Sequence, residues 1–295
     1  MKKIKKAVIA AAGYGTRFLP ATKNQPKEML PIVDKPIIHH LVEELVDSGI
    51  EDIIIVTRAG QMPMEDHFDS NYELEKELKE AGKLKRLKKI EGIPQMANFA
   101  YVRQHKDYPY GNATPLLCAA PLIDDDEAFV YMFGDDLTLS DKPVTKQLID
   151  VYEKEDPTAV LGVQEVPDEE VERYGTVKYK DESKNYEIEA GYEKLPADKA
   201  PSNMALFGRF IFSYDIVEKA KETPTGKDGE LWAMDIINSL AQDGQKVIAQ
   251  PIEGEWHTTG DPLRYLKTSV EFALRRDDIG DDFKEYLEER FNLEE

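Results

Sequence analysis

Two short apolar runs, "KAVIAAA" at residues 6–12 and "EDIIIVTR" at 51–58, bracket a segment with a different period. In "KPIIHHLVEELVDSG", residues 35–49, Ile37, Ile38, Leu41, Val42, Leu45 and Val46 recur at helical spacing, and Gly49 stands where the helix should end. The flanking runs are apolar throughout rather than alternating. Strand, helix, strand of this kind is a βαβ unit, and it requires a parallel sheet covered on both faces. "EAFVYMFGDD" (127–136) and "TAVLGVQEV" (158–166) read as further core strands. From residue 174 the texture changes: "YGTVKYK", "NYEIEAGYEK" and "ALFGRFIF" alternate or are β-rich, which adds antiparallel strands. "ELWAMDIINSLAQDG" and "PLRYLKTSVEFALRRDD" predict amphipathic helices, and "DDFKEYLEERFN" a last, acidic one. The expected fold class is α/β: a Rossmann-like mixed, mainly parallel sheet flanked by helices, with added antiparallel strands and C-terminal helices. No repeat or linker divides the chain, so residues 1–295 are expected to form one elaborated domain.

The first strand runs into "AAGYGTRFLPATKNQPKEML", residues 11–30. A glycine-rich loop leaving the first strand of a parallel sheet lies at the carboxyl edge, where such sheets bind ligands. Gly13 and Gly15 let backbone N–H groups approach a phosphate closely. The P-loop pattern is absent, and the dinucleotide fingerprint fails because Phe18 replaces its third glycine and prolines 20, 26 and 31 forbid an immediate helix. Arg17 and Lys27 follow the glycines, and two cations there suit a triphosphate; spacing alone does not separate that role from ordinary surface charge.

Composition sharpens the point. With 58 acidic against 38 basic residues the formal net charge is −20, which argues against nucleic acid or an anionic membrane as partner. Any anionic ligand must therefore be held by local cations. Cys118 is the single cysteine, read as a small buried apolar residue, and its isolation suits a reducing compartment. The basic, apolar start is read as a first strand rather than an address, and no run approaches a membrane span, so the expected location is cytoplasmic. His39, His40 and His67 show no metal-ligand spacing, and residues 62–90 form a polar, helical excursion.

"GYGTRFLPATKNQPKEMLPIVDKPII" resembles the signature of the sugar-1-phosphate nucleotidyltransferases, and within them looks most like the bacterial glucose-1-phosphate uridylyltransferases (UDP-glucose pyrophosphorylases). The resemblance returns in order at "EDHFDSNYELE", "GDD", "RYGTV", "YEK", "APSNMALFGRFIF" and "GDPLRYLK". It implies transfer of a uridylyl group from UTP to glucose 1-phosphate, assisted by Mg²⁺, in a homo-oligomer. The nucleophile would be a phosphate oxygen, largely ionised at neutral pH, so no general base is needed. By this resemblance Ala12, Gly13, Gly15 and Thr16 contact the nucleotide, and Arg17 and Lys27 hold the triphosphate and the departing pyrophosphate. Gln104 reads uracil, Gly111 lets the backbone reach the base, and Asp135 holds the metal. Gly175, Glu193 and Lys194 serve the sugar phosphate, with Lys194 on its phosphate. Asp136 follows Asp135 on a predicted strand, so it should face the other way. Asn203 either orients the sugar pocket or serves a turn. Residues 1–136 would form the nucleotide half, 137–262 the sugar-phosphate half, and 263–295 helices available for self-association.

Three positions depart from the pattern. The segment after Gln104, "HKDYPYGNATPLLCA", replaces one that usually resembles G-L-G-H-A, which leaves the base or nearby ribose contacts open to change and makes nucleotidyl transfer a firmer expectation than UTP preference. Leu195 stands in place of a proline. Thr258 stands where the family places a metal-assisting aspartate; phosphates and water could complete the coordination, or Asp261 could help, or activity could fall. The alternatives are a thymidylyltransferase or other sugar-1-phosphate nucleotidyltransferase, and a weakened nucleotide-sugar-binding regulatory homologue. A dehydrogenase is disfavoured by the missing third glycine.

Overall fold

The computed structural model describes residues 3–180 and 185–291. Its main sheet has nine strands. Asn98–Arg103, Asp52–Thr57, Lys6–Ala10 and Phe129–Phe133 lie side by side in that order, all parallel. The first strand of the chain is thus interior. The chain builds outward on one side of it, then returns to lay Phe129–Phe133 on the other. That reversal opens a crevice at the carboxyl ends of Lys6–Ala10 and Phe129–Phe133, the position at which open α/β sheets bind ligands.

Beyond Phe129–Phe133 the sheet turns antiparallel. Met204–Phe212 runs against Phe129–Phe133 and against Ala159–Glu165, and touches Gly175–Tyr179 through one pair. Ile188–Glu193 pairs with Gly175–Tyr179, and Val247–Pro251 lies parallel to Ala159–Glu165. The mixed sheet matches the expected fold class.

The helix Ile37–Asp47 forms where the periodicity puts it, and Gly49 leaves it at φ +91°. Its buried face packs on one side of the sheet with Ala7, Ile9, Ile53 and Ile55; Val8, Ile54, Val56 and Tyr131 point into a second core on the other side. Two cores explain why these strands are apolar throughout. The polar excursion breaks into three short helices, Met62–His67, Tyr72–Glu80 and Leu84–Leu87, and the last two bury no residue. Ala233–Gln242, Pro262–Leu274 and Gly280–Phe291 are the helices expected near the end; Asn292, the last residue of the predicted tail helix, lies outside the described residues.

One buried ion pair fastens the layers beneath the crevice. Arg209 is fully buried; its Nε donates to Glu44 Oε1 at 3.0 Å and its Nη2 to Glu44 Oε2 at 2.8 Å. Its other donors reach the carbonyls of Gly208 (2.9 Å) and Asp136 (2.6 Å). Glu44 also accepts from the Thr145 backbone N–H and hydroxyl and from the Thr138 hydroxyl. Burial pushes the Glu44 carboxyl up, but Arg209 and Thr145 outweigh it and hold it below the usual range. A buried pair persists on these terms because both partners are also hydrogen-bonded to their surroundings, Arg209 through two carbonyls and Glu44 through two threonines.

The strand Phe129–Phe133 ends two residues before Asp135. Asp136 opens a separate strand, Asp136–Leu139, antiparallel to Glu255–Thr258.

Candidate active site

The prolines of the glycine loop prevent a helix, and the chain makes three short 3₁₀ turns instead: Thr16–Phe18, Ala21–Lys23 and Lys27–Met29. Gly15 sits at φ +61°, where a Cβ would stand 3.2 to 3.3 Å from the Thr22 and Lys27 side chains. The Thr22 hydroxyl donates to the Gly15 carbonyl at 2.7 Å. These contacts fold the loop back, so that Lys27 returns beside the glycines. Gly13 differs: a Cβ there would meet only Lys27 Cε, at 3.8 Å, so its missing side chain serves the open space above.

Three adjoining concavities line this edge of the sheet. One of about 360 Å³ is bounded by Gly13, Gly15, Thr16, Arg17 and Lys27. A second, about 280 Å³, is bounded by Ala12, Gln104, Gly111, Lys27 and Asp135. The third, about 200 Å³, is bounded by Asp135, Gly175, Glu193, Lys194 and Thr258. Gly13 and Lys27 are common to the first two, Asp135 to the second and third, and Arg17 to the first and third. They form one groove, lined by Ala12, Gly13, Gly15, Thr16, Arg17, Lys27, Gln104, Gly111, Asp135, Gly175, Glu193 and Lys194; Asn203 and Asp261 are not among its lining residues.

At its centre, Lys27 Nζ is 2.5 Å from Asp135 Oδ2 and 3.9 Å from Glu28 Oε1. Burial opposes the charge on Lys27, but Asp135 and Glu28 outweigh it and hold the ammonium protonated well above the usual lysine range. The Asp135 carbonyl accepts from the Thr259 N–H (2.7 Å) and hydroxyl (2.8 Å). Asp136 turns away: its Oδ2 accepts from the Gly208 N–H at 3.0 Å and its Oδ1 from the Trp256 indole at 2.8 Å. Burial and the neighbouring Asp135 charge push the Asp136 carboxyl up to about 6. The two aspartates diverge as expected, but the reason is a chain turn between two strands rather than alternation within one.

The flanks are equally defined. Arg17 Nη1 donates to the Gly260 carbonyl at 3.1 Å. The Gln104 N–H donates to the Thr57 carbonyl at 2.6 Å, which fixes Gln104 just past its strand. Gly111, at φ +145°, packs against another backbone: a Cβ there would lie 2.2 Å from the Leu231 carbonyl oxygen. Leu231 in turn donates to Tyr110 O and accepts from Ala113 N–H. That pairing carries Glu230 and Trp232, from late in the chain, into the wall beside Gln104. On the opposite flank, Glu193 pairs with Gly175 across two strands. Lys194, at φ +48°, holds its ammonium 3.3 Å from Glu193 Oε1 and 4.2 Å over the Trp232 ring. Burial pushes the Glu193 carboxyl up, against the opposing pull of Lys194.

The structure narrows several alternatives that the sequence leaves open. Asp261 is no spare carboxylate: it caps Pro262–Leu274 by accepting from the Arg264 N–H and pairs with Arg173 and Arg264, each at 3.0 Å. Asn203 donates to Glu165 at 2.9 Å and does not line the groove, so it serves the strand edge. His39 and His67 contact each other at 3.0 Å. Among the described residues no group of three or more His, Cys, Asp or Glu side chains is placed to hold a metal. The Glu28 side chain there is fully buried, whereas Asp135, one quarter exposed, offers a carboxylate to the groove at its centre. That donor fits Mg²⁺, which commonly takes one or two carboxylates and completes its shell with substrate phosphates and water. Glu28, Tyr110, Asn112 and Trp232 also line the groove and escaped the sequence reading. Glu28 was visible inside the loop signature, as the residue after Lys27; the others depend on the 110–113 and 230–233 pairing, which no local pattern announces.

A model of the nucleotidyl transferase family matches residues 6–273. The UTP-glucose-1-phosphate uridylyltransferase of Bacillus subtilis is 42% identical over 296 residues, spanning 100% of both chains. A UDP-glucose pyrophosphorylase solved in complex with UDP-glucose superposes with a TM-score of 0.83 at 36% identity, over 92% of this chain and 100% of that one. The UTP-bound enzyme of Acinetobacter baumannii superposes with a TM-score of 0.85 at 34% identity, over 96% and 98%.

Proposed function

The chain belongs to the nucleotidyl transferase family, and from that premise we infer that it is an enzyme transferring a uridylyl group from UTP to glucose 1-phosphate. The products are UDP-glucose and pyrophosphate. One observation carries the reading: a single groove has Arg17 and Lys27 on one flank, Lys194 on the other and Asp135 between them. Two anionic groups can dock from opposite sides and meet.

In this reading Gln104 holds the uracil edge, with Ala12, Gly111 and the backbone of the glycine loop around the nucleotide. The N–H groups near Gly13, Gly15 and Thr16, with Arg17 and Lys27, hold the β- and γ-phosphates. Lys194 holds the phosphate of glucose 1-phosphate, and Glu193 with Gly175 receives its hydroxyls. An oxygen of that phosphate attacks the α-phosphorus of UTP; a new P–O bond forms as the bond to the bridging oxygen breaks. The electron pair leaves with pyrophosphate, where Arg17 and Lys27 meet the charge. Mg²⁺, held by Asp135, would supply charge neutralisation between the phosphates. The protein aligns and neutralises, and no side chain has to take a proton.

The same reading assigns residues 1–136 to the nucleotide and 137–262 to the sugar phosphate, in a cytoplasmic enzyme. Residues 263–295 would serve self-association: Leu263, Leu266, Tyr286 and Phe291 are exposed apolar side chains on the last two helices. A dimer or larger species by light scattering is the expected result, and a monomer that turns over contradicts the assembly. The test of the activity is pyrophosphate release with Mg²⁺ and glucose 1-phosphate across UTP, dTTP, CTP, ATP and GTP. Release with UTP is expected. Release with dTTP alone would make the enzyme a thymidylyltransferase, and silence with every nucleotide would overturn the reading.

A further inference from the structure

Lys194 leaves the strand Ile188–Glu193 at φ +48°, a left-handed conformation uncommon outside glycine and kept where the surroundings hold it. Its backbone N–H donates to the Tyr174 carbonyl at 3.1 Å, which fixes where the side chain begins. From there a lysine is a flexible four-carbon stem with no preferred shape. Something else must decide where its ammonium rests, and Trp232 is placed to do so. The ring lies 4.2 Å from Lys194 Nζ and is itself held on several sides. Leu231, before it, donates to the Tyr110 carbonyl at 2.8 Å and accepts from the Ala113 N–H at 3.1 Å. Ala233, after it, donates its N–H to Asn112 Oδ1 at 2.8 Å. The indole N–H donates to the Lys227 carbonyl at 3.1 Å, and the Trp232 carbonyl accepts from the Asp235 N–H at 3.2 Å as the helix Ala233–Gln242 begins. The ring is a fixed platform, and the lysine is the part that settles on it.

Trp232 lines the second concavity, with Lys27 and Asp135, whereas Lys194 lines the third. Their contact therefore marks the boundary at which the two concavities join. The kind of contact matters as much as its place. An ammonium in a close ion pair, such as Lys27 with Asp135 at 2.5 Å, must give up that pair to serve a phosphate. An aromatic face attracts a cation from one side and leaves the donors on the other side free. Glu193, at 3.3 Å, adds a weaker hold, because burial pushes its carboxyl up toward the neutral form. This inference rests on the uridylyl reading, in which Lys194 receives the phosphate of glucose 1-phosphate. We propose that Trp232 is a positioning residue: its indole face holds the Lys194 ammonium at the boundary between the concavities, ready for that phosphate, and so sets the affinity for the sugar phosphate. The phosphate is anionic before the transfer and during it, so loss of the platform weakens ground state and transition state alike.

The test measures kcat and both KM values for the unaltered enzyme, Trp232→Phe and Trp232→Leu, and repeats the two substitutions in a Lys194→Met background. A cation on an aromatic face contributes a factor of about 3 to 30. Trp232→Leu should raise KM for glucose 1-phosphate by that factor and change kcat and KM for UTP much less. Trp232→Phe keeps a ring of weaker quadrupole and should lie between. With Lys194→Met already present, neither substitution should raise KM for glucose 1-phosphate further. Equal rises in KM for UTP and for glucose 1-phosphate would make Trp232 a general support of the groove wall and overturn the proposal. So would an effect that Lys194→Met leaves undiminished. If Trp232→Leu fails to fold, as circular dichroism would show, Trp232→Phe with and without Lys194→Met decides by the same comparison. An unaltered enzyme inactive with UTP and glucose 1-phosphate would instead overturn the uridylyl reading on which the proposal stands.

Discussion

Two buried carboxylates a short distance apart along the fold are treated in opposite ways. Glu44, beneath the crevice, accepts from Arg209, Thr145 and Thr138, and its carboxyl lies below the usual range. Glu28, within the crevice, has no hydrogen-bond partner among the described residues and lies near 7. Both are desolvated. The first is saturated and ties a helix, two strands and a helix start together. The second is incomplete, beside a lysine that is itself shared with Asp135. Saturated buried charge holds architecture; unsaturated buried charge in a groove awaits a ligand.

The contrast is broken most severely at Arg209. Arg209→Ala strands Glu44 without its cation, and about 3–5 kcal/mol of stability should be lost. Urea unfolding measures it; a loss under 1 kcal/mol would mean the network carries little. Lys27→Ala should keep the fold but lower turnover about 10²- to 10³-fold, the scale for removing one preorganised charge from a transition state. Steady-state pyrophosphate release at saturating UTP reads this, and unchanged kcat would remove Lys27 from the chemistry.

A smaller effect separates the two carboxylates by pH. The folded Glu28 carboxyl near 7 exceeds its ordinary value of 4.5, so between those limits the native state keeps a proton that the unfolded chain gives up. Stability should therefore fall as pH rises from about 4.5 to about 7, by at most about 3 kcal/mol from this group. Glu28→Gln should flatten the slope relative to the unaltered protein; an unchanged slope in parallel unfolding curves would contradict the burial account. Smallest of all, Asn203→Ala removes a strand-edge hydrogen bond to Glu165 and should cost about 1 kcal/mol or less, with kcat/KM unchanged. A large loss of sugar-phosphate affinity would return Asn203 to the site.

Most of this site was legible because its parts sit at strand ends, and strand ends can be read from apolar runs. Gly15, Lys27 and Asp135 follow two such runs, and the βαβ pattern alone brings their carboxyl edges together. The flank proposed for the sugar phosphate was legible only through resemblance, since Glu193 ends an antiparallel edge strand that any β-rich stretch could form and Lys194 follows it. What escaped was tertiary. Trp232 joins Gln104 in the groove wall through the Leu231 pairing with Tyr110 and Ala113, 121 and 118 residues away in sequence. Asp261 looked available until its helix cap and two arginines were seen. Glu28 looked like an ordinary acid between Lys27 and Met29, because sequence cannot report that a carboxylate lacks a partner.

The central claim is that two phosphate stations meet in one groove and exchange a uridylyl group directly, without a covalent enzyme intermediate. The most direct measurement mixes the enzyme with Mg²⁺ and UTP labelled at the α-phosphorus, first alone and then with glucose 1-phosphate. The label should remain in UTP, with no pyrophosphate released, until the sugar phosphate is added, and should then pass to UDP-glucose. Label bound covalently to the protein, with pyrophosphate released before glucose 1-phosphate arrives, would contradict it.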